Sequence, residues 1–195
     1  MSLEEQVYSI LIVSAVENFN SSLRALLPDA RFSPVRIEAS VTSARQLLLE
    51  RQYDFVIVNS PLPDDIGTRF AIDICSQKGS VALLLIKSEL YTAVYNKVAE
   101  HGVYVLPKPT SRTVISQALD WMIATRERLR KLEKKSVSIE DKMQEIRLVN
   151  RAKWILIEQL KMTEEEAHRY IEKQAMDSCL SKKKIAESLI RTYGN

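Results

Sequence analysis

The feature that most constrains this chain is a run of apolar and small residues, spaced alternately three and four apart, from Ile115 to Leu160. Ile115, Ala118, Met122, Thr125, Leu129, Leu132, Ser136, Ile139, Met143, Ile146, Asn150, Lys153, Ile157 and Leu160 hold one register. A repeat averaging about 3.5 residues sets these side chains on one stripe of a slowly supercoiling helix, the geometry of a coiled-coil seam. No proline follows Pro109 and no glycine lies between Gly102 and Gly194, so the run contains no strong helix breaker. At full length such a helix spans about 70 Å. Two readings fit: a seam between two copies of the chain, or one amphipathic helix packed on its own domain. Length favours the first, because helical patterns well beyond about 25 residues are uncommon inside one globular domain. The expected homodimer seam runs through Ile115, Met122, Leu129, Leu132, Ile139, Met143 and Ile146. Ser136, Val137 and Ser138 form a weak place where the helix either bends or begins anew.

Composition bounds the rest. With 195 residues, 46% hydrophobic and 27% charged, the chain has the balance of a globular protein with a real core. No apolar run approaches the roughly 18 residues of a membrane span. The start, MSLEEQVYS, lacks the basic leader and apolar centre of a signal peptide, so a cytoplasmic location and no membrane partner are expected. Cys75 and Cys179 form no C-x-x-C pair and read as separate reduced thiols. His101 and His168 stand without the spaced ligands of a zinc site; no metal and no cofactor are expected. Charge is unevenly divided. Residues 1–109 carry 10 Lys and Arg against 12 Asp and Glu, and residues 110–195 carry 18 against 13. A basic C-terminal half suits a polyanionic partner, and equally a solvated helical face.

Before the long helix, short apolar runs alternate with helical periods. Tyr8–Val13, Val35–Ile37, Asp54–Val58, Val81–Ile86 and Val103–Leu106 read as strands. Asn18–Leu27, Ser43–Arg51 behind a Thr42 N-cap, Thr68–Gln77 and Tyr91–His101 read as helices. Strict alternation, with Ile10 to Val13 apolar at every position, predicts a five-stranded parallel sheet covered on both faces, a doubly wound α/β fold.

YDFVIVNSPLPDDIG and LPKPTS carry a resemblance to the response-regulator receiver domain, over roughly residues 5–125. The resemblance implies a flavodoxin-like fold and a pocket in which an aspartate at a strand end takes a phosphoryl group beside Mg²⁺. At the corresponding positions stand Asn59 for the acceptor, Ser14 and Ala15 for the acidic pair, Ser88 about one position from the expected hydroxyl, and Lys108 before Pro109. An acyl phosphate requires an anionic oxygen nucleophile and a divalent cation, and an amide is no such nucleophile. Glu17, Asp64 and Asp65 do not occupy the matching positions. The reading is a pseudo-receiver that keeps the fold and has lost phosphotransfer. A pocket reused for a small ligand, or an acceptor restored by deamidation of Asn59, remains open.

Beyond Asn150 and Lys153 the stripe turns polar, which predicts that paired helices separate there. An apolar face of Ala152, Ile155, Leu156 and Leu160 follows. Thr163 with Glu166 then forms a capping box. A helix facing inward through Ala167, Tyr170, Ile171 and Ala175 leads, through a turn at Asp177–Leu180, to a last helix from Ser181 with Ile185, Ala186, Leu189 and Ile190 inward. From Val149 to Ile190 this tail resembles the ANTAR family, RNA-binding domains of transcription antitermination regulators. The matching residues are Ala152-Lys153, Ile155-Leu156, Leu160, Thr163 to Ala167, Ala175-Met176 and Ile185-Ala186. Trp154 stands where the family usually has a small residue.

The expected organisation is thus a receiver-like domain at 1–110, a coiled-coil helix at 111–148 and an ANTAR domain at 149–195. The expected function is binding of leader-RNA hairpins by a homodimer in transcription antitermination, without catalysis. Arg151, Ala152, Lys153, Arg169, Lys182, Lys183 and Lys184 are the candidate RNA-binding residues. Control would come from a regulatory protein or a small ligand at the receiver. The alternative is a DNA-binding response regulator with a helical output domain, less favoured because the Asp177–Leu180 turn lacks glycine.

Overall fold

The computed structural model describes residues 6–76 and 79–194. The chain divides into two compact units, Met1–Lys131 and Leu132–Asn195, each with a core of its own.

The first unit is the doubly wound fold. Strands β1 (Tyr8–Val13), β2 (Phe32–Glu38), β3 (Phe55–Asn59), β4 (Val81–Lys87) and β5 (Tyr104–Lys108) form one parallel sheet in the order β2-β1-β3-β4-β5. Between them lie helices α1 (Glu17–Arg24), α2 (Val41–Glu50), α3 (Thr68–Ser76) and α4 (Tyr91–Val98). Alternate residues of a strand point to opposite faces. Leu11, Val13, Val56, Val58 and Leu84 therefore pack beneath α2, α3 and α4 with Ala44, Phe70, Ile74 and Val98, while Ile10, Ile12, Phe55, Ile57 and Leu83 face α1 on the other side with Leu23.

Several sequence-based boundaries shift, and four of the shifts have a local cause. β2 extends beyond the expected Val35–Ile37 and runs through Pro34; β5 likewise includes Pro107. Both are edge strands, where a missing N–H costs no ladder bond on the open side. α1 ends at Arg24 rather than Leu27, since the residue before Pro28 is disfavoured in helix. The cap of α2 is Ser40, whose Oγ accepts the Ser43 N–H at 3.1 Å. Thr42 is instead inside the first turn, and its N–H and that of Val41 are taken by the Asp64 carboxylate at 2.8 and 3.0 Å. These two backbone bonds hold Asp64 below the usual carboxylate range. Gln77, expected to end α3, lies outside the described residues.

Helix α5 runs unbroken from Arg112 to Leu160, through Ser136–Ser138. Its stripe has two fates, and the expected seam is corrected accordingly. Ile115 and Met122 are buried, with Ala118, Leu119 and Ile123, in the core on the α1 side of the sheet, and Leu129 packs against that core. Side chains enclosed in their own domain are not available to a second copy. Leu132, Ile139, Met143 and Ile146 are about half exposed, at 54%, 49%, 50% and 59%. The packed-helix reading therefore holds for the first part of α5, and the later part of the stripe keeps an exposed apolar line.

In the second unit, Val149, Ala152 and Leu156 of α5 pack with Ala167, Ile171 and Ala175 of α6 (Glu164–Asp177) and Ile185, Ala186 and Leu189 of α7 (Lys182–Tyr193). The alanines let the end of α5 and the two short helices approach closely enough to share a small core. The Thr163–Glu166 capping box starts α6 as expected, and Ser181 caps α7. Leu160, expected inward, is exposed, and Ile157 packs against the core instead. Among the described residues no helix is long and apolar enough to cross a membrane.

Candidate nucleic-acid interface and strand-end pocket

The sheet order reverses between β1 and β3, and the carboxyl ends of strands at such a switch point are where doubly wound folds place ligands. Here Ser14 follows β1 and Asn59 ends β3, both buried. The Asn59 amide donates to Ser14 Oγ at 3.0 Å, and the Lys108 ammonium donates to Asn59 Oδ1 at 2.8 Å and to the Ser60 carbonyl. Burial, then the charge of Lys87, pushes the Lys108 pKa down. The Lys108–Pro109 peptide is cis. Gly67 shapes the loop beside this strand end: its φ is +81°, and a Cβ there would lie 2.6 Å from Val58 Cγ1.

The structure thus brings the side chains of Ser14, Asn59 and Lys108 into one hydrogen-bonded group, which Ser88 meets only through the Lys108 backbone and Ala15 does not join. The Ser88 hydroxyl donates to the Lys108 carbonyl at 2.8 Å, and Ala15 is exposed with only a methyl group. Magnesium requires hard oxygen ligands in near-octahedral array. The group offers an amide oxygen already bound by an ammonium, and a hydroxyl that also accepts the Val16 N–H at 3.2 Å. Of the acids named above, Asp64 is engaged on α2 and Asp65 on the Gly67 N–H at 2.5 Å. This donor set does not suit Mg²⁺.

At the opposite end of the strands a second polar group fastens α5 to the sheet. Asp54 accepts the Ser9 N–H and O–H at 3.0 and 2.9 Å and the Arg126 guanidinium at 2.8 Å, with Arg130 at 3.7 Å. Burial raises the Asp54 pKa, but these bonds outweigh it and hold the carboxyl below its ordinary value. The Tyr8 hydroxyl donates to Glu127 at 3.0 Å; burial, then Glu127, pushes its pKa up to about 12. Sequence reasoning missed this junction. Its signal was the i,i+4 pair Arg126 and Arg130, with Glu127 between them.

The tail's candidate cations differ in availability. Lys153 lies at 2.9 Å from Glu164, Lys182 at 2.6 Å from Glu172, and Arg169 pairs with Glu165. Glu164 and Glu172 are held below the carboxylate range mainly by hydrogen bonds from Lys153 and Lys182. Lys182 therefore ties α7 to α6. Lys183 reaches Gln144 at 3.4 Å, and Lys184 and Arg151 are exposed. Ala152 is fully buried and acts in the core, so it is withdrawn from the RNA-contact set. Arg147 and Trp154, both exposed on α5, were not among the expected site residues.

Comparison with known proteins agrees with both halves. The ANTAR domain family matches residues 138–190, which hold the end of α5, all of α6 and most of α7. The transcriptional regulatory protein PdtaR of Mycobacterium tuberculosis is 26% identical over 141 residues, 72% of this chain and 69% of that protein. The chain carries an ANTAR domain behind a head of receiver fold. For the head, a signal receiver domain of an HD domain-containing protein from Pseudomonas fluorescens superposes with a TM-score of 0.58 at 24% identity, covering 67% of this chain and 96% of that one. The HemR receiver domain of Leptospira biflexa gives 0.52 at 23%, covering 60% and 94%. At these identities the likeness establishes the fold of the head ahead of the ANTAR domain.

Proposed function

We propose that this chain acts in transcription antitermination by binding leader-RNA hairpins as a dimer, with no chemical step of its own. The observation that carries the reading is the ANTAR match over residues 138–190 on a three-helix tail whose exposed cations include Arg151 and Lys184. The likeness to PdtaR, named as a transcriptional regulatory protein, supports the regulatory setting. RNA loops are read by side chains on splayed bases, with Lys and Arg on the phosphates. Arg151, Lys153, Arg169 and Lys182 to Lys184 serve as phosphate contacts, the paired ones by exchanging a carboxylate for a phosphate.

The dimer forms through Leu132, Ile139, Met143 and Ile146. At about 100° per residue these lie on one line of α5, roughly 120° from the face of Val149, Ala152 and Leu156 that carries the tail core. Pairing and tail packing therefore use different faces. The functional parts are a control head, a pairing helix and an RNA-binding tail, with divisions near residues 110 and 148. The head's pocket, occupied by its own Lys108–Asn59–Ser14 bonds, takes its input from a regulatory protein or a small ligand in the cytoplasm, without phosphoryl transfer.

Binding of the full-length protein to paired short RNA hairpins and to duplex DNA, at several salt concentrations, tests this. Hairpin binding with a steep salt dependence supports it; preference for duplex DNA would transfer the tail to a DNA-binding output.

A further inference from the structure

We propose that Trp154, flanked by Arg147 and Arg151, is a stacking platform for an unpaired RNA base. This rests on the RNA reading and adds the residue that reads an unpaired base. Trp154 is 65% exposed, an unusual position for the side chain with the largest apolar area to bury. Arg147 and Arg151 are one turn apart, and Arg151 and Trp154 are three residues apart, so all three share an arc of about 60° on α5.

The two arginines repel at this spacing, yet both are exposed and neither has an ion pair among the described residues. Lys153, Arg169 and Lys182, in contrast, each have a glutamate. An indole face beside two unneutralised guanidinium groups matches a nucleotide, whose base stacks on the ring while its phosphates meet the cations. Glu158, one turn beyond Trp154 on the same arc, would repel a phosphate. The strand's backbone therefore lies toward Arg147 and Arg151. A second copy of the chain fits this arc poorly, since parallel pairing would bring like-charged arginines together around the ring. The apolar line that suits pairing has given way to Asn150 by this point.

The sequence has two tryptophans, so Trp121→Phe leaves Trp154 as the sole reporter in the full-length protein. The probes are an RNA hairpin with an unpaired purine loop and the blunt RNA duplex of the same stem. The hairpin should quench Trp154 emission saturably, and the duplex should not. Trp154→Ala should weaken hairpin binding by roughly 5- to 150-fold without altering the salt slope, and Trp154→Phe should recover part of the loss. Arg147→Gln with Arg151→Gln should flatten the slope by about 1.4, for two single-strand phosphate contacts. Circular dichroism and sedimentation of Trp154→Ala should match the parent. Intact hairpin binding with unquenched Trp154 and an unaffected alanine variant overturns this proposal alone. A shift of Trp154→Ala toward monomer also overturns it and assigns the ring to a contact between copies. If the parent binds no hairpin, the RNA reading falls with it.

Discussion

Replacing Ile139 and Met122 separately by alanine distinguishes the two roles of the α5 stripe. Met122 is fully enclosed in the head core, so Met122→Ala creates a cavity and should lower head stability by about 2–5 kcal/mol, with the dimer constant unchanged. Ile139 is 49% exposed in the single chain, so about half of its apolar surface is left for a partner. Removing three carbons, each contributing about 0.8 kcal/mol when fully buried, therefore loses about 1 kcal/mol per copy. Two copies lose about 2 kcal/mol, roughly a thirty-fold weaker dimer, while unfolding of the head should shift little. Sedimentation velocity over a dilution series reads the dimer constant, and urea unfolding followed by circular dichroism reads the head. An Ile139→Ala dimer as tight as the parent, or a Met122→Ala protein that loses its dimer while its urea midpoint stays put, would refute the division of the stripe.

The Asp54 junction should show in the acid limb of stability. Its folded pKa is depressed, so the stabilisation is present above the unfolded value of about 4 and is lost as pH falls through the lower folded value. Asp54→Asn should abolish that part of the acid-induced fall in the urea midpoint and lower stability near neutral pH. Acetyl phosphate with magnesium should leave the head unlabelled, and Asn59→Asp alone should not restore labelling, because Ser14 and Ala15 still supply no metal ligand; an acid-labile phosphoryl group on either protein would contradict this. Replacing Lys182, Lys183 and Lys184 together by glutamine should lower hairpin affinity and flatten its salt dependence. Lys182→Gln alone should also lower the thermal midpoint slightly by releasing Glu172. An unchanged salt slope in the triple variant would remove the lysines from the interface.

The doubly wound head was legible in the sequence because β1, β3 and β4 are apolar at nearly every position, as strands covered on both faces must be. Pro34 and Pro107 hid the true lengths of β2 and β5, since proline argues against a strand unless its edge position is known. The residues of the strand-end group were readable one by one at Ser14, Asn59 and Lys108, but the direction of Ser88 was not, because a hydroxyl's partner is fixed by the neighbouring backbone. Periodicity placed Ile115 and Ile139 in one register and gave no means of telling which would be covered by the chain's own sheet. Ala152 shows the same limit: a residue matching a binding family's motif can be there for packing.

The uninterrupted course of α5 sets an arithmetic for insertions and deletions. Between the Leu132–Ile146 line and the Val149–Leu156 face, each added or lost residue turns one against the other by about 100° and slides it by 1.5 Å. A single-residue indel in this stretch is thus far more disruptive than a substitution at the same place, whereas a seven-residue change returns the phase to within about 20°. Exchange of output modules among such regulators should leave length differences clustered near multiples of seven, and a graded series of insertions after Ile146 should give an activity that oscillates with the helical repeat instead of declining steadily.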